Sequence, residues 1–192
     1  RGAVELGPHD RADAEVLAEG RCRCGEVRDI ETHVVDMVRA AVPGARLETL
    51  QGDLALMSEV RRVAADFLAK RDRLDILVNN AGAVFETRRE TAEGLEMTFA
   101  LNHMSYFLLT NLLLEALKAA PAGRIVSVAS AAHRQGKVDF DDLQSKRGYL
   151  HMRTYGTTKL MNILFTRALA QRLQGTRVTA NMLLYESHRR GQ

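Results

Sequence analysis

The chain has 192 residues, of which 46% are hydrophobic and 27% are charged, so it is long and apolar enough to build one domain with a core. Its net charge is +3, from 27 basic and 24 acidic residues, and this small, evenly spread charge predicts no nucleic-acid partner. The longest apolar run, residues 107–115, is interrupted by polar side chains and is far shorter than the roughly 20 residues that span a bilayer.

The first 28 residues show no clear period and are predicted to form an atypical N-terminal segment. They lack the apolar stretch of a signal peptide. Cys22 and Cys24 are too close in sequence for an unstrained disulfide, and no second cysteine pair is present to complete a metal site. We interpret both as free thiols in a reducing compartment, which predicts a cytoplasmic protein without a resident metal.

From residue 29 onwards, hydrophobic periodicity predicts helices that alternate with strands. The predicted helices are 29–42, 57–68, 91–120 and 151–173, and the predicted strands are 46–50, 74–78, 124–129 and 177–181, the last of which can extend to 184. A polar segment covers residues 131–150. Such alternation is typical of right-handed crossovers in a parallel sheet. The sequence therefore predicts an α/β fold for residues 29–184, a doubly wound parallel sheet in three layers, followed by an atypical tail at 185–192.

In open sheets of this kind, ligands bind beyond the carboxyl ends of the strands. The residues in those positions are Asp53, the Asn79–Gly82 segment, Ser130 and the residues after Asn181. Small residues in the Asn79–Gly82 segment let a flat ligand approach the backbone, although a simple turn has the same composition. The Ser130 hydroxyl can donate to a substrate oxygen, or it can cap a turn.

Tyr155 and Lys159 lie four residues apart in the last predicted helix, so they share one face, with Cβ atoms about 5–6 Å apart. A phenol is a weak base at neutral pH, but a nearby cation favours its ionised form. Such a pair can exchange a proton with an alcohol or a carbonyl, although the spacing alone is weak evidence. Asn102 lies inside an apolar helix, which indicates either a function or a side chain that faces solvent.

Taken together and in this order, these residues resemble the short-chain dehydrogenase/reductase superfamily. The elements that carry the resemblance are Asp53, Asn79-Asn80-Ala81-Gly82, Asn102, Ser130, Tyr155 and Lys159, with their surroundings at 101–103, 124–133 and 155–173. The long polar stretch between Ser130 and Tyr155 resembles the retinol-dehydrogenase-like branch. The similarity covers about residues 29–181 and implies a Rossmann-like fold.

The resemblance implies a role for each matched residue. Tyr155 would be the general acid/base for the substrate oxygen, and Lys159 would favour the ionised phenol and hold the nicotinamide ribose. Ser130 would polarise the carbonyl, and Asn102 would hold a water in a proton relay to Lys159. The cofactor-binding residues that it implies are Asp53, Leu54, Asn80, Ala81, Gly82, Tyr155 and Lys159. The implied cofactor is NADP or NAD, with NADP favoured, and the helix pairing common in this family implies a homo-oligomer.

Both ends of the chain depart from the family pattern. Residues 1–28 contain no strand followed by the glycine-rich turn that cradles a pyrophosphate, and no Pro-Gly turn follows Asn181. We therefore expect an incomplete sheet and interpret the chain as a fragment. The predicted function is the NAD(P)-dependent interconversion of an alcohol and a carbonyl on a small, apolar substrate. The alternative is an inactive fragment that acts at most as an interaction module.

Overall fold

The computed structural model describes residues 15–17 and 36–185. Several predictions from the sequence lie outside these residues. They are the missing glycine-rich turn near Gly2 and Gly7, the thiols of Cys22 and Cys24, the first turns of the helix predicted from residue 29, and the tail beyond residue 185.

The elements follow one another as strands and helices in alternation. The strands are β1 (Glu15–Leu17), β2 (Leu47–Thr49), β3 (Ile76–Asn79), β4 (Arg124–Ser130) and β5 (Thr179–Tyr185). The helices are α1 (36–41), α2 (Met57–Leu68), α3 (Met97–Phe99), a π-helical turn (Ala100–Met104), α4 (Ser105–Leu112), α5 (Leu114–Ala119), a 3₁₀ helix (Ala131–Gln135) and α6 (His151–Arg172).

All strand pairs within the described ranges are parallel. β1 pairs with β2, and β3, β4 and β5 form a second sheet in that order. Ile76 lies opposite Arg124, and Arg124 lies opposite Thr179, so the carboxyl ends of β3 and β4 meet at one edge of the sheet. The predicted α/β fold with a parallel sheet is confirmed.

One face of the three-stranded sheet packs against α2, α4, α5 and α6. Leu77 and Ile125 lie in the centre of this core, and Leu117 of α5 covers them. The opposite face carries Ile76 and Val78, which are 52% and 43% exposed. Parallel sheets normally have both faces covered. Within residues 36–185, no helix covers this apolar face of the sheet.

The predicted helix at 91–120 is wrong at its start and is interrupted. Residues before Met97 form turns instead, because Gly94 adopts a φ of +76°, which is outside the helical region. The buried carboxylate of Glu96 then accepts the N–H groups of Thr98 and Phe99 and begins the helix there. At its other end the helix is broken at Leu113, between α4 and α5.

Strand β1 lies in the segment 1–28, in which the sequence shows no clear strand period. Three residues are too few to show the alternation that identifies strands of about 4–8 residues in a sequence. Strand β3 also begins two residues later than predicted, and the predicted helix at 151–173 is present as α6. No helix in residues 36–185 combines the length and the apolar character needed to cross a membrane.

Candidate active site

Asn102 lies in the middle of the π-helical turn and is fully buried. Its Oδ1 accepts the backbone N–H of Ala83 at 2.9 Å, and its Nδ2 donates to the backbone carbonyl of Ala83 at 2.9 Å. The interpretation of Asn102 as a solvent-facing side chain is therefore wrong. A side chain that pairs with both backbone groups of Ala83 fixes the loop that follows β3.

This loop contains the Asn-Asn-Ala-Gly segment that the sequence singles out. Asn79 is the last residue of β3, and its buried amide donates to Thr110 Oγ1 at 2.9 Å. Gly82 follows at the surface, and a Cβ placed on it would lie 3.2 Å from Asn102 Oδ1 and 3.3 Å from Lys159 Nζ. A side chain at Gly82 would therefore crowd both groups, so the close packing at this position favours glycine. Asn80 is exposed and Ala81 is half-buried beside it.

Lys159 is 3% exposed, which is unusual for a charged side chain. Its Nζ donates to the backbone carbonyl of Val128 at 3.1 Å and lies 5.5 Å from the ring centroids of both Tyr106 and Tyr155. Burial disfavours the charged ammonium and lowers the pKa of Lys159 to about 8. The two rings stabilise the ammonium through their π faces, which offsets part of that cost.

Ser130 is the last residue of β4, which ends one residue later than predicted. Its Oγ accepts the N–H of Ala132 at 3.2 Å, so the serine does cap the 3₁₀ helix that follows. The hydroxyl hydrogen is still able to donate to another group. Beyond the cap, Gly156 packs so closely that an added Cβ would lie 2.4 Å from the carbonyl oxygen of Ala132. This contact holds α6, the helix of Tyr155, against the segment that begins at Ser130.

The structure brings the predicted residues together in part. Gly82, Asn102, Tyr155 and Lys159 form one cluster. Ser130 lies in the chain between Val128, whose carbonyl accepts from Lys159, and Ala132, which packs against Gly156. Asp53 and Leu54 make local contacts instead. Asp53 Oδ1 accepts the N–H of Ala55 at 3.0 Å, and Leu54 is buried in the core.

Three residues of the cluster were missed by the sequence analysis. Tyr106 lies one helical turn after Asn102, and its ring faces Lys159. Thr158 accepts from Asn102 Nδ2 at 3.4 Å, and Asn162 donates to the backbone carbonyl of Asn102 at 2.8 Å. Their spacing offered a signal, because Tyr106 follows Asn102 by four residues and Asn162 follows Lys159 by three, as neighbours on a helix face do.

The cluster combines groups that suit proton transfer. Tyr155 is partly exposed as a residue, whereas Lys159, whose ammonium lies beside its ring, is buried. A phenol can exchange a proton with an alcohol, and here an ammonium lies 5.5 Å from the ring centroid of that phenol. The site therefore places an acid/base group beside a buried cationic group.

A family model described as short chain dehydrogenase matches residues 14–185 of this chain. That match begins earlier than the domain start predicted at residue 29. The relatives include retinol dehydrogenase 14 of Mus musculus, which is 40% identical over 185 residues covering 94% of this chain and 52% of the relative. Retinol dehydrogenase 12 of Homo sapiens is 48% identical over 127 residues, covering 66% of this chain and 40% of the relative. The chain thus spans about half the length of the curated relatives it matches.

Solved structures give the same picture of the fold. An uncharacterized protein from Mycobacterium Paratuberculosis superposes with a TM-score of 0.67 at 32% identity, over 82% of this chain and 56% of that one. An NAD(P)-dependent gluconate 5-dehydrogenase from Beutenbergia cavernae, solved with bound NADP, gives a TM-score of 0.63 at 27% identity. This second match covers 88% of this chain and 61% of the other.

The burial of Lys159 predicts a pH-dependent stability difference between the wild type and Lys159→Met. The pKa of Lys159 is lower in the folded than in the unfolded state, so unfolding takes up a proton between about pH 8 and roughly 10.4. Stability of the wild type relative to the variant therefore rises with pH through that window. We expect the variant to be more stable by about 3 kcal/mol near neutral pH, and we expect this gap to close as the pH rises from about 8 to roughly 10.4. Urea unfolding across this range measures the difference, and a gap that does not change with pH would contradict it.

The buried hydroxyl of Tyr106 leads us to expect that two Tyr→Phe substitutions change stability in opposite directions. This hydroxyl is buried and has no hydrogen-bond partner among the described residues, and burial also raises the pKa of the Tyr106 phenol. Tyr106→Phe should therefore stabilise the protein by about 1 kcal/mol. The matched control is Tyr149→Phe, because Tyr149 donates to the Phe85 carbonyl and pairs with Thr98, and it should destabilise by a similar amount. Thermal unfolding tests both, and equal signs would refute the assignment.

Proposed function

This chain belongs to the short-chain dehydrogenase family, and we propose that it interconverts an alcohol and a carbonyl on a small, apolar substrate with NADP or NAD as the cofactor. The observation that carries the proposal is the position of Lys159 Nζ. It lies 5.5 Å from the ring centroid of the partly exposed Tyr155, and it lies so near Gly82 that an added Cβ there would be 3.3 Å away.

Support for a nicotinamide cofactor comes first from the contacts of Gly82. The space that a Cβ would fill there is bordered by an amide oxygen of Asn102 and the ammonium of Lys159. An ammonium donor of this kind suits ribose hydroxyls. In our proposal Lys159, Tyr155 and the Asn80–Gly82 segment hold the nicotinamide end, and Asp53 and Leu54 lie on the adenine side. The bound cofactor supplies or accepts the hydride.

The chain's own residues would handle the proton and the developing charge. During oxidation, Tyr155 takes the hydroxyl proton of the alcohol as the carbonyl forms, and during reduction it returns that proton to the oxygen. Ser130 donates a hydrogen bond to the same oxygen and stabilises negative charge on it. Lys159 places an ammonium beside the Tyr155 ring. Asn102 holds a water that relays protons to Lys159, which is consistent with the closeness of both side chains to Gly82.

The substrate class is inferred from the relatives. Several of them are named retinol dehydrogenases, and retinol is a small apolar alcohol, so we propose an apolar alcohol or aldehyde for this chain as well. NADP is the favoured cofactor because solved neighbours carry it. The cytoplasmic location stays a prediction.

The proposal is tested by a substitution at Tyr155. The purified chain is mixed with NADPH and retinal, and both nicotinamide fluorescence and its loss on turnover are followed. We expect Tyr155→Phe to keep cofactor binding and to lose turnover by about a hundredfold or more, because the proton donor is gone. Tyr149→Phe is the matched control. The Tyr149 hydroxyl donates to the Phe85 carbonyl and pairs with Thr98, outside the cluster, so its loss should leave turnover unchanged below the unfolding temperature.

Two outcomes would count against the proposal. Equal turnover in Tyr155→Phe and the wild type would remove Tyr155 from the mechanism. A wild-type chain that binds no NADPH or NADH at millimolar concentration would favour the alternative, an inactive member of the family that acts at most as an interaction module.

We also propose that the chain forms a homo-oligomer through α4 and α6. Phe107 of α4 is 41% exposed and contacts Phe165 of α6 at a centroid distance of 5.4 Å, and Leu164 is 46% exposed beside them. Exposed apolar side chains on two adjacent helices indicate a contact surface. Light scattering should give a mass of at least twice 21.3 kDa, and a monomeric mass would contradict the proposal.

A further inference from the structure

Asn162 is fully buried in α6 and contacts one backbone carbonyl and one side chain of the π-helical turn. Its Nδ2 donates to the backbone carbonyl of Asn102 at 2.8 Å. Its Oδ1 lies 2.8 Å from Nδ1 of His103, the next residue along the chain. Both ends of one amide are therefore used by two consecutive residues of the same turn.

The orientation of this amide follows from its partners. A backbone carbonyl can only accept, so the atom of Asn162 that faces Asn102 must be the donor Nδ2. Oδ1 then faces His103, and an amide oxygen can only accept, so the proton on the His103 ring must be on Nδ1. Burial lowers the pKa of His103 and favours this neutral ring. Each of the two hydrogen bonds of the Asn162 amide therefore joins one donor to one acceptor.

The turn that Asn162 contacts is the one that orients Asn102. It departs from the α-helix, because the N–H of Ser105 bonds to the carbonyl of Ala100, five residues earlier. An irregular turn of this kind persists when contacts from the surrounding structure hold its backbone in place. The Asn102 amide pairs with both backbone groups of Ala83. Asn162 thus holds the backbone of Asn102, and Ala83 holds its side chain.

We propose that Asn162 is a positioning residue, which fixes the backbone of Asn102 so that the Asn102 side chain holds the Ala83 loop beside Lys159. Asn162 itself is not assigned a contact with substrate or cofactor. The effect on turnover rests on the proposed function, whereas the effect on Ala83 is a property of the structure alone. The donor on Asn162 is the essential part, because only a donor can bind the Asn102 carbonyl.

The substitution Asn162→Asp isolates that donor. The carboxylate has nearly the same shape and can still accept from His103 Nδ1, but it has no N–H for the Asn102 carbonyl. Asn111→Asp is the matched control. Asn111 also donates to a backbone carbonyl, that of Phe107 at 2.6 Å, but it is exposed on α4 and does not contact the turn.

Residue-resolved amide hydrogen exchange of the full chain, measured by NMR, reads the result without any need for activity. The reporter is the Ala83 N–H, because its bond to Asn102 Oδ1 protects it, and the Ile125 N–H in the core strand β4 is the reference. We expect Ala83 to exchange at least about tenfold faster relative to Ile125 in Asn162→Asp and at an unchanged ratio in Asn111→Asp. A uniform change in both amides would mean only a loss of global stability and would overturn the proposal.

Turnover provides the second readout. In an active wild-type background, kcat should fall by about tenfold in Asn162→Asp, because the loop is displaced, and it should stay unchanged in Asn111→Asp. Unchanged kcat in Asn162→Asp would overturn the role in catalysis. If the wild type has no activity, the proposed function fails, and the Ala83 exchange still decides the role of Asn162. The uncharged Asn162→Ser, whose hydroxyl is too short to replace the amide, gives the same test should Asn162→Asp not fold.

Discussion

The ammonium group of Lys159 is buried, and the neighbouring strand and helices must supply polar or aromatic partners for it. An isolated charge in a protein interior is very unfavourable, so its surroundings must supply partners. Here β4 supplies the Val128 carbonyl, and the rings of Tyr106 and Tyr155 lie on its flanks. The close packing of Gly156 brings α6 near enough to the end of β4 for these contacts to form. The polar interior is therefore built by the sheet edge and two helices together.

Asn102 performs the corresponding task for the loop after β3. A loop at the end of a strand has few contacts of its own, and its backbone groups need partners. The Asn102 amide provides an acceptor and a donor to Ala83, and the helix brings that amide into position through its π-helical turn. The same two helices therefore position both the loop and the ammonium. Gly82 lies close to Asn102 and to Lys159, so a larger residue at this position would crowd both side chains.

Local patterns in the sequence were sufficient to predict the strands β3 to β5, the helix α6 and the pairing of Tyr155 with Lys159, because these depend on periodicity and on spacing along one helix. They were insufficient wherever a distant partner decides the structure. Asn102 is buried through its contacts with Ala83 and Asn162, and Asn162 is 60 residues away in sequence. The start of the helix at Met97 depends on a single carboxylate, that of Glu96, whose capping role overrides the helical pattern before it.

The π-helical turn has a further consequence for how this segment can vary. Removing one residue from Ala100–Met104 would restore regular α-helical hydrogen bonding, which is locally favourable. Each residue of an α-helix advances by about 100°, so the same deletion would rotate Asn102 away from Ala83 or Tyr106 away from Lys159. Local regularity and the geometry of the site therefore oppose each other here. The number of residues in this turn is constrained as strictly as their identities, and an insertion or a deletion would be more damaging than most substitutions.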